Sequence, residues 1–149
     1  MSKTLVLGLG NLLRGDDGLG PAVIGWLSQR SLPPGVAVLD GGTPGLELVL
    51  TLADYPRVLI VDAADLNRAP GQWARFTGNQ VRPPDGEAGL NLHHAGLAEA
   101  LALGAELGTL PTEVVIYGIQ PAQLEWSLGL SVAAQAAVPT VGQVILEEL

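Results

Sequence analysis

The run Val58–Val61 (VLIV) carries no polar side chain and is flanked by Arg57 and Asp62. Apolar residues without alternation fit a strand covered on both faces, as in a parallel sheet, and not a strand with one wet face. Thr4–Gly8 (TLVLG) and Val36–Leu39 repeat the pattern. Between the first two, a helix is expected over roughly Gly18–Arg30. Asp16 and Asp17 at its start and Arg30 at its end suit the helix dipole. Ser31–Gly35 reads as a loop. Asp40–Pro44 (DGGTP) reads as a turn, with Thr43 placed to cap a helix over Gly45–Ala53 and Pro44 at its first position.

The remainder continues the alternation. Ala69–Gly71 is a turn, Trp73–Phe76 starts a fourth strand, and Gly78–Gly89 is an exposed loop rich in Gly and Pro. His93–Leu103 has helical spacing, Val114–Ile119 is a fifth strand, and Pro121–Leu130 is a loop or short helix. Ser131–Leu149 is a closing helix that Pro139 should kink or break. The order β-α-β-α-β-β-α-β-α predicts an α/β fold: a single-domain three-layer sandwich with a mostly parallel, five-stranded twisted sheet flanked by helices. The 149 residues suit one domain spanning positions 1–149.

Charge narrows the partners. Fifteen acidic residues against seven basic ones give a formal charge of −8, a field that repels phosphate backbones and anionic lipid. Neither nucleic acid nor a membrane is expected as a partner. A cation, a basic peptide or a neutral protein face is. No cysteine is present, which excludes disulfides, thiolate metal sites and a cysteine nucleophile. The N-terminal MSKTLVLGLGN lacks the small-residue cleavage site of a signal peptide, and no apolar stretch approaches the roughly 18 residues that span a bilayer. A cytoplasmic location is expected.

The acidic residues fall where such a fold binds ligands. Asp16 and Asp17 follow the first strand, Asp40 ends the second, and Asp62 ends the third. Open parallel sheets bind ligands beyond the carboxyl ends of their strands, so three strands deliver carboxylates to one edge. Such a cluster repels itself unless protons or a cation compensate. His93, opening a helix after the long loop, can reach the same edge. Two carboxylates and an imidazole form a mixed O/N set suited to zinc, nickel or another divalent ion.

Each residue also has an ordinary reading. Asp16 is best explained as a helix-start residue, and Asp17 is open between that role and a ligand. Asp40 has a strong alternative as the cap of its own DGGT turn. Asp62, directly after an apolar run, is costly to bury without a partner. Of the two histidines, His93 and His94, one is expected to face solvent. Gly8-Leu9-Gly10 begins like a dinucleotide fingerprint, but Leu13 occupies the third glycine position and the acidic residue expected about 20 residues further on is absent. The serines lie outside any G-x-S-x-G elbow. A hydrolase here therefore needs a metal-bound water.

Taken in order, these segments resemble the hydrogenase maturation endopeptidases. Gly8–Gly20 (GLGNLLRGDDGLG) is similar to the family's opening motif. Asp40–Thr43 (DGGT) with Pro44–Leu48 (PGLEL) resembles the second, Ile60–Ala63 (IVDA) the third and His93–Leu101 (HHAGLAEAL) the fourth. Gly118–Pro121 (GIQP) and Gly129–Leu130 resemble its late part. The resemblance implies an endopeptidase that removes a C-terminal extension from the precursor of the nickel-iron hydrogenase large subunit after nickel insertion. It places the family's metal-binding and catalytic positions on Asp17, Asp62 and His93, and the substrate-recognition motif on Asp40, Gly41, Gly42 and Thr43. The metal implied is the nickel of the precursor, with zinc or another divalent ion as a substitute in vitro. Some relatives carry Glu where Asp17 stands. The other class left open is a non-catalytic nickel- or nucleotide-binding accessory domain on the same fold.

Overall fold

The computed structural model describes residues 3–78, 91–92, 95–122 and 124–149. The elements follow in the order β1 (Thr4–Leu9), a 3-10 turn (Gly15–Gly18), α1 (Leu19–Ser28), β2 (Val36–Gly42), α2 (Glu47–Ala53), β3 (Arg57–Asp65), β4 (Trp73–Thr77), β5 (Asn91–Leu92), α3 (Ala95–Leu107), β6 (Glu113–Ile119) and α4 (Val132–Glu148). The main sheet runs β2-β1-β3-β6-β4. The first four are parallel, and β4 closes the edge antiparallel to β6. The two-residue β5 pairs antiparallel with the end of β3.

Side-chain alternation sorts the strands between two apolar layers. Val6, Leu59, Val61, Val115 and Tyr117 pack against Val23 and Leu27 of α1 and Val141 and Ile145 of α4. Leu5, Leu7, Val58, Ile60 and Ile116 pack against Leu48 and Leu52 of α2 and Leu97 and Leu101 of α3. Both faces are covered, which is why these strands read as unbroken apolar runs. The chain leaves β1 through α1 to reach β2 on one side, then passes back through α2 to β3 on the other. Crossovers of one hand running in opposite directions fall on opposite faces. The gap between β1 and β3 is therefore the switch in strand order.

The architecture agrees with the sequence reading, and the boundaries differ in instructive places. β2 extends through Asp40–Gly42, so the expected turn is partly strand. Helix α2 starts at Glu47, two residues late, and its N-cap is Leu46 with no side-chain cap. Thr43 and Pro44 therefore do not start it; backbone bonds from Leu48 N to Gly45 O and from Val49 N to Leu46 O lead into it instead. β3 continues to Asp65, which puts Asp62 inside the strand, opposite Gly118 of β6, and not after it. α4 runs through Pro139 without a break. Residue 139 is exposed, so the helix loses one backbone bond there but keeps its buried stripe of Ala134, Val138, Val141 and Ile145. The expected loop Gly78–Gly89 falls almost wholly outside the described residues.

Candidate active site at the carboxyl edge of the sheet

Glycines fix the geometry of the edge. A Cβ on Gly8 would lie 2.5 Å from the Gly20 carbonyl oxygen. A Cβ on Gly20 would collide with the Leu9 backbone and lie 2.7 Å from the Val61 carbonyl oxygen. Gly10, at φ 138°, has no room for one against the Asp17 carbonyl. The start of α1 is thus seated directly on the ends of β1 and β3, with no side chain between backbones. The third glycine of a nucleotide loop is absent, and these glycines serve close packing instead.

The seating brings Asp17 to the edge. It lies in the 3-10 turn, which abuts both α1 and β3, and it is fully buried. Its Oδ2 accepts a hydrogen bond from the Asn11 backbone N–H at 2.8 Å, and Asn11 Oδ1 accepts from Leu13 N–H at 2.9 Å. Asp62 is fully buried on the neighbouring strand. Its strand neighbours at two residues' spacing, Ile60 and Ala64, belong to the α2/α3 layer. Alternation therefore turns the Asp62 side chain to the face on which α3 packs. Two buried acids in a chain of charge −8 thus stand by the strands that flank the switch, Asp17 in the turn packed on them and Asp62 within β3.

Asp40 is exposed, paired with Gly8 across the ladder, and its Oδ1 accepts from Gly42 N–H at 3.1 Å. Its turn-capping reading therefore holds. Gly10 N–H donates to Gly42 O at 2.9 Å, which ties this motif to the first one. Gly41 is wedged on the Leu7 and Leu9 side chains, 2.8 and 3.0 Å from where a Cβ would sit. A cavity of about 210 Å³ opens beside Asp40, walled by Leu7, Gly41, Pro44, Glu47 and Leu48. A larger one, about 720 Å³, lies between α3 and the amino end of β6. That is the wrong end of the parallel strands for a site of this fold.

His93 and His94 lie outside the described residues. Their flanks are described: Leu92 pairs with Ala64, two residues beyond Asp62, and α3 begins at Ala95. Among the described residues no group of three His, Cys, Asp or Glu side chains is gathered closely enough to hold a metal ion.

Asp16 stands in the first turn of the 3-10 segment leading into α1, as its helix-start reading has it, and its carboxylate also makes long-range bonds. It is fully buried. Its Oδ1 accepts from Ser131 N–H, and its Oδ2 accepts from Ser131 O–H and Ala122 N–H, each at 2.7 Å. Asn11 and Ser131 hold these buried acids through hydrogen bonds, and neither belongs to a chemical motif in the sequence. The closing helix expected from Ser131 starts at Val132, and Ser131 is its N-cap, accepting from Ala134 N–H at 3.2 Å.

Open parallel α/β sheets as a class bind ligands at the carboxyl edge beside the switch point, and this chain buries acidic side chains there. Comparison with known proteins narrows the class. The family described as hydrogenase maturation protease matches residues 21–148. Among curated relatives, the hydrogenase expression/formation protein HupM of Azotobacter chroococcum is 38% identical over 122 residues, 81% of this chain. The hydrogenase 2 maturation protease of Escherichia coli is 34% identical over 146 residues, 96% of this chain and 88% of that protein. The solved E. coli hydrogenase maturating endopeptidase HybD superposes with a TM-score of 0.86 at 32% identity, covering 99% of this chain and 91% of HybD. The chain belongs to the hydrogenase maturation protease family. It spans 58% of HupM's length, and 59% and 65% of two similar relatives.

Proposed function

We propose that this chain is a cytoplasmic endopeptidase that removes the C-terminal extension of a nickel-iron hydrogenase large-subunit precursor once nickel is in place. The observation that carries the reading is the burial of Asp17, in the turn seated on β1 and β3, and of Asp62, within β3. Interior carboxylates are expensive to hold unless donors or a cation compensate, and a folded chain retains such a pair where it has work for the charge. The flanks of His93 approach the same face, which supports it as the third group. Two oxygens and one imidazole nitrogen fit nickel or zinc.

In this reading the nickel arrives as part of the substrate. Asp17, Asp62 and His93 engage it, and this docks the precursor so that the scissile peptide lies beside the metal. Holding the reacting groups together supplies the positional part of the catalysis. A precursor without nickel offers these residues nothing to engage, so it is not positioned for cleavage. Asp40, Gly41, Gly42 and Thr43 face the incoming chain from the neighbouring strand.

Incubation with purified precursor, nickel-loaded or nickel-free, tests the reading. The expected result is cleavage of the loaded form alone, lost in Asp17→Ala. Equally poor processing by wild type and Asp17→Ala overturns it and favours a binding module, whereas equally efficient processing removes Asp17 from the reaction. Titration with zinc and nickel adds a second criterion, since tightly held resident zinc contradicts delivery of the metal by the substrate.

A further inference from the structure

The structure assigns Asp16 a role that deepens, and rests on, the endopeptidase reading: we propose that Asp16 is a positioning residue. It fixes the Asp17 carboxylate by locking the β1–α1 turn to the segment between β6 and α4.

The 3-10 turn that carries Asp17 has four residues. So short a turn makes few hydrogen bonds of its own, and those are of poor geometry, so its orientation must be set from outside. Asp16 is the buried tie. Three donors from positions 122 and 131, more than 100 residues downstream, converge on its two oxygens at 2.7 Å. Hydrogen bonds to an ionised acceptor are about twice as strong as neutral ones. Ser131 O–H donates to Asp16 while its oxygen accepts from Ala134 N–H, so the tie is anchored in the first turn of α4. A second strap runs beside it. Ser127 N–H donates to Leu13 O at 3.0 Å, Gly15 N–H to Ser127 O at 2.9 Å, and the Arg14 Nε–H to Leu124 O at 3.2 Å. The Arg14 guanidinium also lies over the Trp126 ring, 5.4 Å from its centre. Asp17 is the next residue in the chain, so a turn that shifts carries its carboxylate with it. Misplacement of a reacting group by about 1 Å can cost roughly a hundredfold in rate.

Asp16→Asn is the informative variant. One oxygen faces Ser131 N–H and the other faces Ala122 N–H, so the amide's NH2 meets an N–H donor whichever way it turns. With nickel-loaded precursor, kcat is expected to fall about 10–100-fold, the usual effect of removing a supporting hydrogen bond behind a ligand. KM is expected to rise as well, because Asp17 is one of the groups through which the precursor's nickel docks. A readout independent of turnover is the amide resonance of Asn11, whose N–H donates to Asp17 Oδ2. It is expected to shift in Asp16→Asn, and by less in Ser131→Ala, which keeps two of the three donors. An unmoved Asn11 amide, with kcat per folded molecule at the wild-type level and only the melting temperature lowered, overturns the proposal. If Asp16→Asn does not fold, Ser131→Ala decides by the same two readouts. If wild type itself cleaves nothing, the endopeptidase reading falls, while the Asn11 resonance still reports whether Asp16 holds Asp17.

Discussion

Gly20, in the first turn of α1, rests on the backbone of Leu9 at the end of β1, so closely that a Cβ at position 20 would overlap it. The same Cβ would lie 2.7 Å from the carbonyl oxygen of Val61, the residue before Asp62. One glycine therefore seats the helix start on both strands that bear the candidate site.

Gly20→Ala is expected to destabilise the fold by about 3 kcal/mol or more, the upper end of overpacking costs. Against this stands a gain of at most about 1 kcal/mol in helix propensity, so the clash wins. The atoms met are backbone, which cannot rotate away. Urea denaturation of the purified variant measures the change. A loss under about 1 kcal/mol would show that α1 can lift off the sheet without penalty.

The layered fold was legible because both faces of β1 and β3 are buried, which leaves their sequences apolar without interruption. The acidic residues at strand ends were legible as positions, and Asp62 as an anomaly after VLIV. The bonds of those residues were not. Asp16 is held by Ala122 and Ser131, and no local pattern relates residues more than 100 apart. The start of α2 departs from its local signal for the opposite reason. Thr43 and Pro44 make a sound local capping signal, but β2 runs on to Gly42 and Gly10 N–H bonds Gly42 O, so sheet pairing overrides it.

The end of α4 is pinned by a charged cluster. Arg75 of β4 makes two bonds to Glu148, at 3.0 and 2.8 Å, and the Tyr117 hydroxyl donates to Glu148 Oε1. Bonds from Arg75 hold the Glu148 carboxyl below its ordinary range. Burial first, and then the bond to Glu148, push Tyr117 up to about 12. A depressed carboxylate contributes stability that is fully present above its unfolded value, near 4.3, and is lost as pH falls through the lower folded value. The raised Tyr117 contributes in full below about 10 and loses its share as pH climbs towards 12. Glu148→Gln is expected to cost about 1–2 kcal/mol at neutral pH, discounted because the cluster lies near solvent. The gap to wild type should narrow below about pH 4. A gap that stays constant from pH 7 to pH 3 in denaturation series would remove Glu148 ionisation as its cause.

Pro139 lies on the exposed side of a helix that continues past it. Proline in a helix interior costs about 3 kcal/mol relative to alanine, partly offset by up to about 1 kcal/mol because it restricts the unfolded chain. Pro139→Ala restores the missing N–H and buries nothing new. A gain of about 1–2 kcal/mol is expected, which raises the melting temperature by roughly 2–8 °C for a domain of this size. Calorimetry checks it. A lowered melting temperature would mean that the proline shapes α4 against α1 in a way alanine cannot.

Asp62 separates function from stability. Its carboxylate is fully buried in the middle of a parallel sheet, where a charge is expensive and a neutral amide of equal size costs less to desolvate. If the charge is retained for the substrate's metal, Asp62→Asn should keep the wild-type fold, because an amide of equal size fits the same space. Cleavage of nickel-loaded precursor should fall by about a hundredfold or more, the scale on which losing one charge-stabilising group acts. Melting curves and timed cleavage on the same preparation decide the matter together. A variant that unfolds and loses activity in parallel would make Asp62 a structural residue of β3. One that keeps its melting temperature while losing cleavage identifies a carboxylate held in the interior for its chemistry.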